Sequence, residues 1–78
     1  MDFSEFSQVE IDPGVMGGTP VLRGTRIPLS PIFSELANGL TLVDIANEFD
    51  MCDSDFDMLK NLLRDMATSL RKHSDETK

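Results

Sequence analysis

Residues 41–59 read TLVDIANEFDMCDSDFDML, and this stretch decides the fold. Small Ala46, apolar Phe49, a turn at Asp50, apolar Met51, then Phe56 and Leu59 give the spacing of a helix-turn-helix. The alanine lets two helices cross closely, and the apolar positions pin a steep crossing. The earlier helix opens with a capping box, Thr41 with Asp44 three residues on, and buries Leu42, Ile45, Ala46 and Phe49. The later one starts near Asp53 or Ser54, with Ser54 and Asp57 as a second capping box. Its apolar positions are Phe56, Leu59, Leu62, Leu63, Met66 and Leu70. The run 56–59–63–66–70 makes one seam along roughly 22 Å of helix at 1.5 Å per residue. Two short helices are too small to cover it, so a second protomer or another protein is expected at its far end.

Working upstream, a first helix is expected to start with Ser30 as N-cap and Pro31 at the first helical position, where a missing N–H costs nothing. Ile32, Phe33 and Leu36 form its apolar face. Asn38-Gly39 ends it, with Gly39 left-handed and Leu40 folding back on the last turn. Before it, residues 9–29 read VEIDPGVMGGTPVLRGTRIPL. Val9 and Ile11 alternate with polar neighbours as in a short half-buried strand, and Pro20 to Arg23 is a second strand candidate broken by Gly24. Asp12-Pro13-Gly14 and Gly17-Gly18-Thr19-Pro20 are turn chemistry. Pro13, Pro20, Pro28 and Pro31 each delete a ladder donor, which favours an edge ribbon over a central strand. An exposed ribbon invites pairing with another copy. Residues 1–7 and 74–78 are polar ends expected to fray. The reading is one mainly α domain over 1–78: a β-ribbon/turn segment (8–29), a three-helix helix-turn-helix unit (30–72) and a frayed tail (74–78).

Composition narrows the function classes. At 78 residues a deep private substrate pocket is hard to build, and a core of this size rarely supplies more than about 3–5 kcal/mol. One cysteine (Cys52) and one histidine (His73) leave no disulfide framework and no metal set, so a homodimer is expected. There is neither a secretory leader pattern nor an apolar stretch near the roughly 20 residues that span a bilayer. A soluble cytoplasmic protein away from membranes is expected. Gly14 to Gly24 matches neither phosphate-loop spacing. The Asp53/Asp55/Asp57 run resembles the start of a calcium loop but has Met58 at the sixth place and Arg64 at the twelfth. No nucleophile–base pair can be assembled, so no enzyme, cofactor or metal is expected.

Charge bears directly on the helix-turn-helix. Fourteen acidic against seven basic residues give net −7, unfavourable for general nucleic-acid binding. Six carboxylates (44, 48, 50, 53, 55 and 57) and no base lie between Asp44 and Asp57. A DNA-reading helix needs cationic or amide side chains at its exposed start, where this chain has Asp53, Ser54, Asp55, Asp57, Met58 and Asn61. Carboxylates at a helix N-terminus also stabilise the dipole. These residues are therefore a solvated, helix-stabilising face or an acidic docking face for a basic partner, with Asp53, Asp55, Asp57 and Met58 the partner-binding candidates. The bases divide between Arg23 and Arg26 in the ribbon and Lys60, Arg64, Arg71 and Lys72 along the third helix. Arg23, Arg26, Lys60 and Arg64 are the nucleic-acid candidates. Arg26 is read equally well as a fork satisfying turn carbonyls.

The run Ile11-Asp12-Pro13-Gly14-Val15, then Gly17-Gly18-Thr19-Pro20-Val21-Leu22-Arg23-Gly24-Thr25-Arg26-Ile27-Pro28-Leu29, resembles the signature of the domain of unknown function 433 family, described as VapB-like antitoxins. The likeness continues through Gly39-Leu40-Thr41-Leu42-Val43-Asp44-Ile45-Ala46 and covers about residues 8–66. It implies a homeodomain-like helix-turn-helix with an N-terminal β-ribbon. The implied role is the antitoxin of a type II pair, neutralising a PIN-like ribonuclease toxin and able to bind its own promoter with it. It also marks Gly17, Gly18, Pro20, Gly24, Thr25 and Arg26 as family positions, expected to define turns. After Phe49 the chain departs from the family pattern: Asp50-Met51-Cys52-Asp53 replaces a tyrosine-proline turn, and the third helix is acid-rich. Two functions are therefore expected, a partner-neutralising antitoxin or a dimeric DNA-binding regulator. A small structural adaptor is the blander third.

Overall fold

The computed structural model describes residues 3–76, and the surroundings of side chains 3 and 5–71. A 3-10 turn (Phe3–Glu5) leads to strand β1 (Val9–Glu10), a loop with a second 3-10 turn (Met16–Gly18), strand β2 (Val21–Leu22), and helices α1 (Leu29–Ala37), α2 (Leu42–Glu48) and α3 (Asp53–Glu76). The architecture is mainly α, three helices behind a two-stranded antiparallel ribbon, as the sequence implies.

The ribbon differs from expectation in where its edges lie. Val9 pairs with Leu22 and Glu10 with Val21 on one side of β2. On the other side Leu22 N–H donates to the Ile27 carbonyl and Leu29 N–H to the Pro20 carbonyl, both at 3.0 Å, and Val21 bridges Pro28. β2 is thus the middle of three extended runs, and both its residues are fully buried. Prolines at 20 and 28 are tolerated because Pro20 is asked only for its carbonyl and Pro28 sits opposite Val21 between the two bonds, where no N–H is needed. Ile11 lies outside β1 and is exposed, since the chain turns at once: Val15 N–H donates to the Asp12 carbonyl, and Gly14 N–H to Asp12 Oδ1 at 2.9 Å. The N-terminal segment is not frayed from Phe3 on; Phe6 is buried in the core and Phe3 packs against it.

Helix α1 starts two residues earlier than expected, with Pro28 as its N-cap. Leu29 is buried and its N–H is taken by Pro20, which pulls the start back and leaves Pro31 inside the first turn, where an N–H has no helical acceptor. The end is as expected: Gly39 has φ +96°, Gly39 N–H reaches the Leu36 carbonyl and Leu40 N–H the Glu35 carbonyl. Helix α2 has its complete capping box, Thr41 Oγ1 accepting Asp44 N–H and Asp44 Oδ2 accepting Thr41 N–H, both at 3.1 Å. The second capping box does not form. Ser54 lies inside α3, and its hydroxyl is 3.2 Å from Cys52 Sγ, while Asp57 pairs with Lys60. Nothing from Asp53 onward breaks a helix, so α3 continues to Glu76 through the segment expected to be a tail.

One core joins both strands and all three helices: Phe6, Val9, Leu22, Leu29, Ile32, Ile45, Leu59 and Leu62. Gln8 Nε2 donates to Asp65 Oδ2 at 2.8 Å, tying the ribbon to α3 across 57 positions of sequence. Past Leu62 the seam emerges from cover: Leu63 and Met66 are half-buried and Leu70 is 56% exposed.

Candidate functional site

The turn between α2 and α3 sets the geometry of the acidic face. Asp50 has φ +55°, Met51 N–H donates to the Ala46 carbonyl at 2.9 Å, and α3 starts three residues after Asp50. Across this turn Asp44, Glu48, Asp50, Asp53 and Asp57 are exposed, whereas Asp55 is half-buried. Met58, a partner-binding candidate, packs half-buried against the core and is chiefly a packing residue. What remains is a shoulder of carboxylates around the start of α3. Lys60 lies one turn on, with Nζ 3.3 Å from Asp57 Oδ1 and 4.8 Å from the Phe56 ring centre.

The nucleic-acid candidates are not equivalent. Arg23 holds three successive carbonyls leading into the first strand: its backbone N–H donates to Gln8 at 2.9 Å, Nε to Ser7 at 2.6 Å and Nη2 to Val9 at 2.9 Å. The fork expected of Arg26 thus belongs to Arg23, because register places Arg23 beside Gln8. Its side chain also occupies the Val9 carbonyl of β1, one that a strand added from another copy would need. Lys60 is engaged as described. Arg26 and Arg64 are exposed and make no side-chain hydrogen bond or ion pair among the described residues. Arg71 is exposed too, and the side chains of Lys72 and His73 lie outside those described.

Of the family positions, Gly17, Gly18, Gly24 and Thr25 build turns. Thr25 carries most of one: its N–H and Oγ1 both donate to the Leu22 carbonyl, at 3.0 and 2.8 Å, while Oγ1 accepts Ile27 N–H at 3.0 Å. Gly24, at φ +78°, donates its N–H to Glu10 Oε1. Gly17 and Gly18 follow Met16 in an unbroken left-handed run with φ of +52°, +65° and +87° from Met16 onward. Pro20 accepts Leu29 and lines an open apolar hollow of about 340 Å³ with Phe3, Leu29, Ser30, Phe33 and Ser34.

Sequence reasoning missed one polar contact on the helices. Glu35 on α1 and Glu48 on α2 bring their carboxyl groups together, and Glu35 Oε2 is buried without a hydrogen-bond donor. The neighbouring Glu48 carboxyl, then burial, raise the Glu35 pKa above its ordinary 4.5. The available signal was the lack of any base between residues 27 and 59. Among the described residues no group of three or more His, Cys, Asp or Glu is placed to hold a metal ion, and no helix is long and apolar enough to cross a membrane. Cys52 is exposed at the start of α3.

Neither the curated proteins nor the solved structures contain a match to this chain. A family model described as "Protein of unknown function (DUF433)" matches residues 9–58, which holds the whole ribbon, α1, α2 and the first turn of α3. That is 50 of the 78 residues, counted as 58 − 9 + 1, and with more than half its length matched the chain belongs to the DUF433 family.

Proposed function

We propose that this protein is the antitoxin of a type II toxin–antitoxin pair, a binding protein that neutralises a basic PIN-like ribonuclease through the acidic shoulder. The observation that carries the reading is the disposal of charge. Two of the four candidate cations already have partners in the chain, Arg23 on backbone carbonyls and Lys60 in a surface pair with Asp57, while carboxylates surround the start of α3. Such a face steers a cationic partner and offers an anionic surface where that partner would hold RNA phosphates. Pairing of two copies through the uncovered end of α3 accompanies this reading, since Leu70 is exposed there and Arg23 occupies the ribbon carbonyls.

Affinity capture of the tagged chain from its host's lysate at moderate salt, with bound proteins identified by mass spectrometry, tests it. The expected result is a small stoichiometric ribonuclease whose binding weakens with salt and with Asp53→Asn, Asp55→Asn and Asp57→Asn together. Salt-insensitive binding, indifferent to those changes, would refute the charge-mimicry mechanism.

Exposed Arg26 and Arg64 support a second reading, a dimeric helix-turn-helix DNA-binding regulator. It requires a gel shift of promoter DNA at about 50 mM salt, with or without the partner, weakened by Arg26→Ala. Absence of any shift sinks it.

A further inference from the structure

The unpaired carboxyl oxygen of Glu35 has no counterpart elsewhere on the described helices. Glu35 stands in the last turn of α1 and Glu48 is the last residue of α2, and neither helix has a basic residue in its last turn. Both carboxylates therefore sit at the negative end of a helix dipole. Glu48 is the charged group that α2 sets against Glu35, and among the described residues no charge of the ribbon or α3 acts on it. Glu35 Oε2 is buried and finds no donor. Two ionised carboxylates cannot hydrogen-bond to one another, but one protonated and one ionised carboxyl can.

We propose that Glu35 and Glu48 form a proton-operated latch between α1 and α2. One proton taken from solvent changes the pair's charge from −2 to −1, supplies the donor that the buried oxygen lacks and fastens the two helices. Its loss leaves two like charges facing each other at the α1–α2 contact, Glu48 being also one of the exposed carboxylates of the acidic shoulder. The latch stands apart from the partner reading, because it concerns the chain alone.

The sign follows from proton binding. Glu35 titrates above its ordinary 4.5 in the folded chain, so the folded state holds more protons than the unfolded state in the window above that value. Stability from the pair is therefore complete below 4.5 and is lost as pH rises through the folded value.

The test combines a carbon-13 NMR titration of the Glu35 carboxyl with thermal midpoints of the full chain between about pH 4.5 and 8. Wild type, Glu35→Gln, Glu48→Gln and the exposed-site control Glu5→Gln are compared. The expected results are a Glu35 titration midpoint above 4.5 and a wild-type thermal midpoint that falls as pH rises. Either latch variant loses most of that fall, and the control keeps it. A Glu35 carboxyl titrating at or below its ordinary value overturns the latch, as does a Glu35→Gln variant with the wild-type slope. The titration is read on wild type, so it decides for or against the latch even where a variant fails to fold.

Discussion

Met51 donates its backbone N–H to the Ala46 carbonyl at 2.9 Å over an Asp50 held at φ +55°. The bond closes α2 and aims α3, and it requires a left-handed residue where the sequence supplies a β-carbon. Asp50→Gly is expected to stabilise the chain by up to about 1 kcal/mol, the left-handed penalty less the entropy that glycine adds to the unfolded state. Asp50→Val should destabilise it. Urea unfolding of both decides the point, and a glycine variant no more stable than wild type would show that the turn holds no strain.

The capping box at the head of α2 predicts a coupled pair. Thr41→Ala and Asp44→Ala should each lose about 1 kcal/mol, and the double variant less than the sum, because each side chain satisfies the other's backbone amide. A double-mutant cycle by denaturant melts measures the coupling; strict additivity would contradict the reciprocal bonds.

The two ribbon arginines should separate cleanly. Arg23→Ala is expected to cost about 1–3 kcal/mol, since it leaves the Ser7 and Val9 carbonyls without their donors. Arg23→Lys should recover little, lacking the fork. Arg26→Ala, on an exposed side chain, should stay within about 0.5 kcal/mol of wild type. Equal losses at both positions would mean that the clasp is not what holds the first strand.

Along α3 the same substitution should change its effect with position. Leu59→Ala and Leu62→Ala empty fully buried sites and should cost about 2–5 kcal/mol each. Leu70→Ala should cost under about 0.5 kcal/mol in dilute solution, where its side chain faces water. If copies pair through this end, sedimentation of wild type at tens of micromolar shows a dimer and the Leu70→Ala variant shows less of it.

What was legible in the sequence was local. Thr41 with Asp44, and Asn38-Gly39-Leu40, carry their meaning within a few residues, and those helix ends are where the residue types put them. Arg23 and Arg26 lie three residues apart in one loop, and nothing local tells them apart; the Val9–Leu22 register does, and register is a tertiary fact. The first turn of α3 offered a capping box in type and spacing, yet Ser54 is the second residue of the helix, two positions past the cap. Glu35 and Glu48 become neighbours only once α1 and α2 pack, so their pairing left no mark beyond a long span without bases. The carboxylates of the shoulder were read directly, since a turn between two helices has few places to hide a charge.

The core has a further implication for what the shared segment can do alone. The family match stops at residue 58, one position short of Leu59, and it starts after Phe6. Leu59 and Leu62 close the same hydrophobic cluster as Leu22, Ile32 and Ile45. A border drawn at residue 58 therefore passes through the middle of the interior, and a peptide cut to the shared segment would open to water what the intact chain keeps dry. The matched stretch brings the turns and the caps; the lid that shuts its interior is written in residues beyond it.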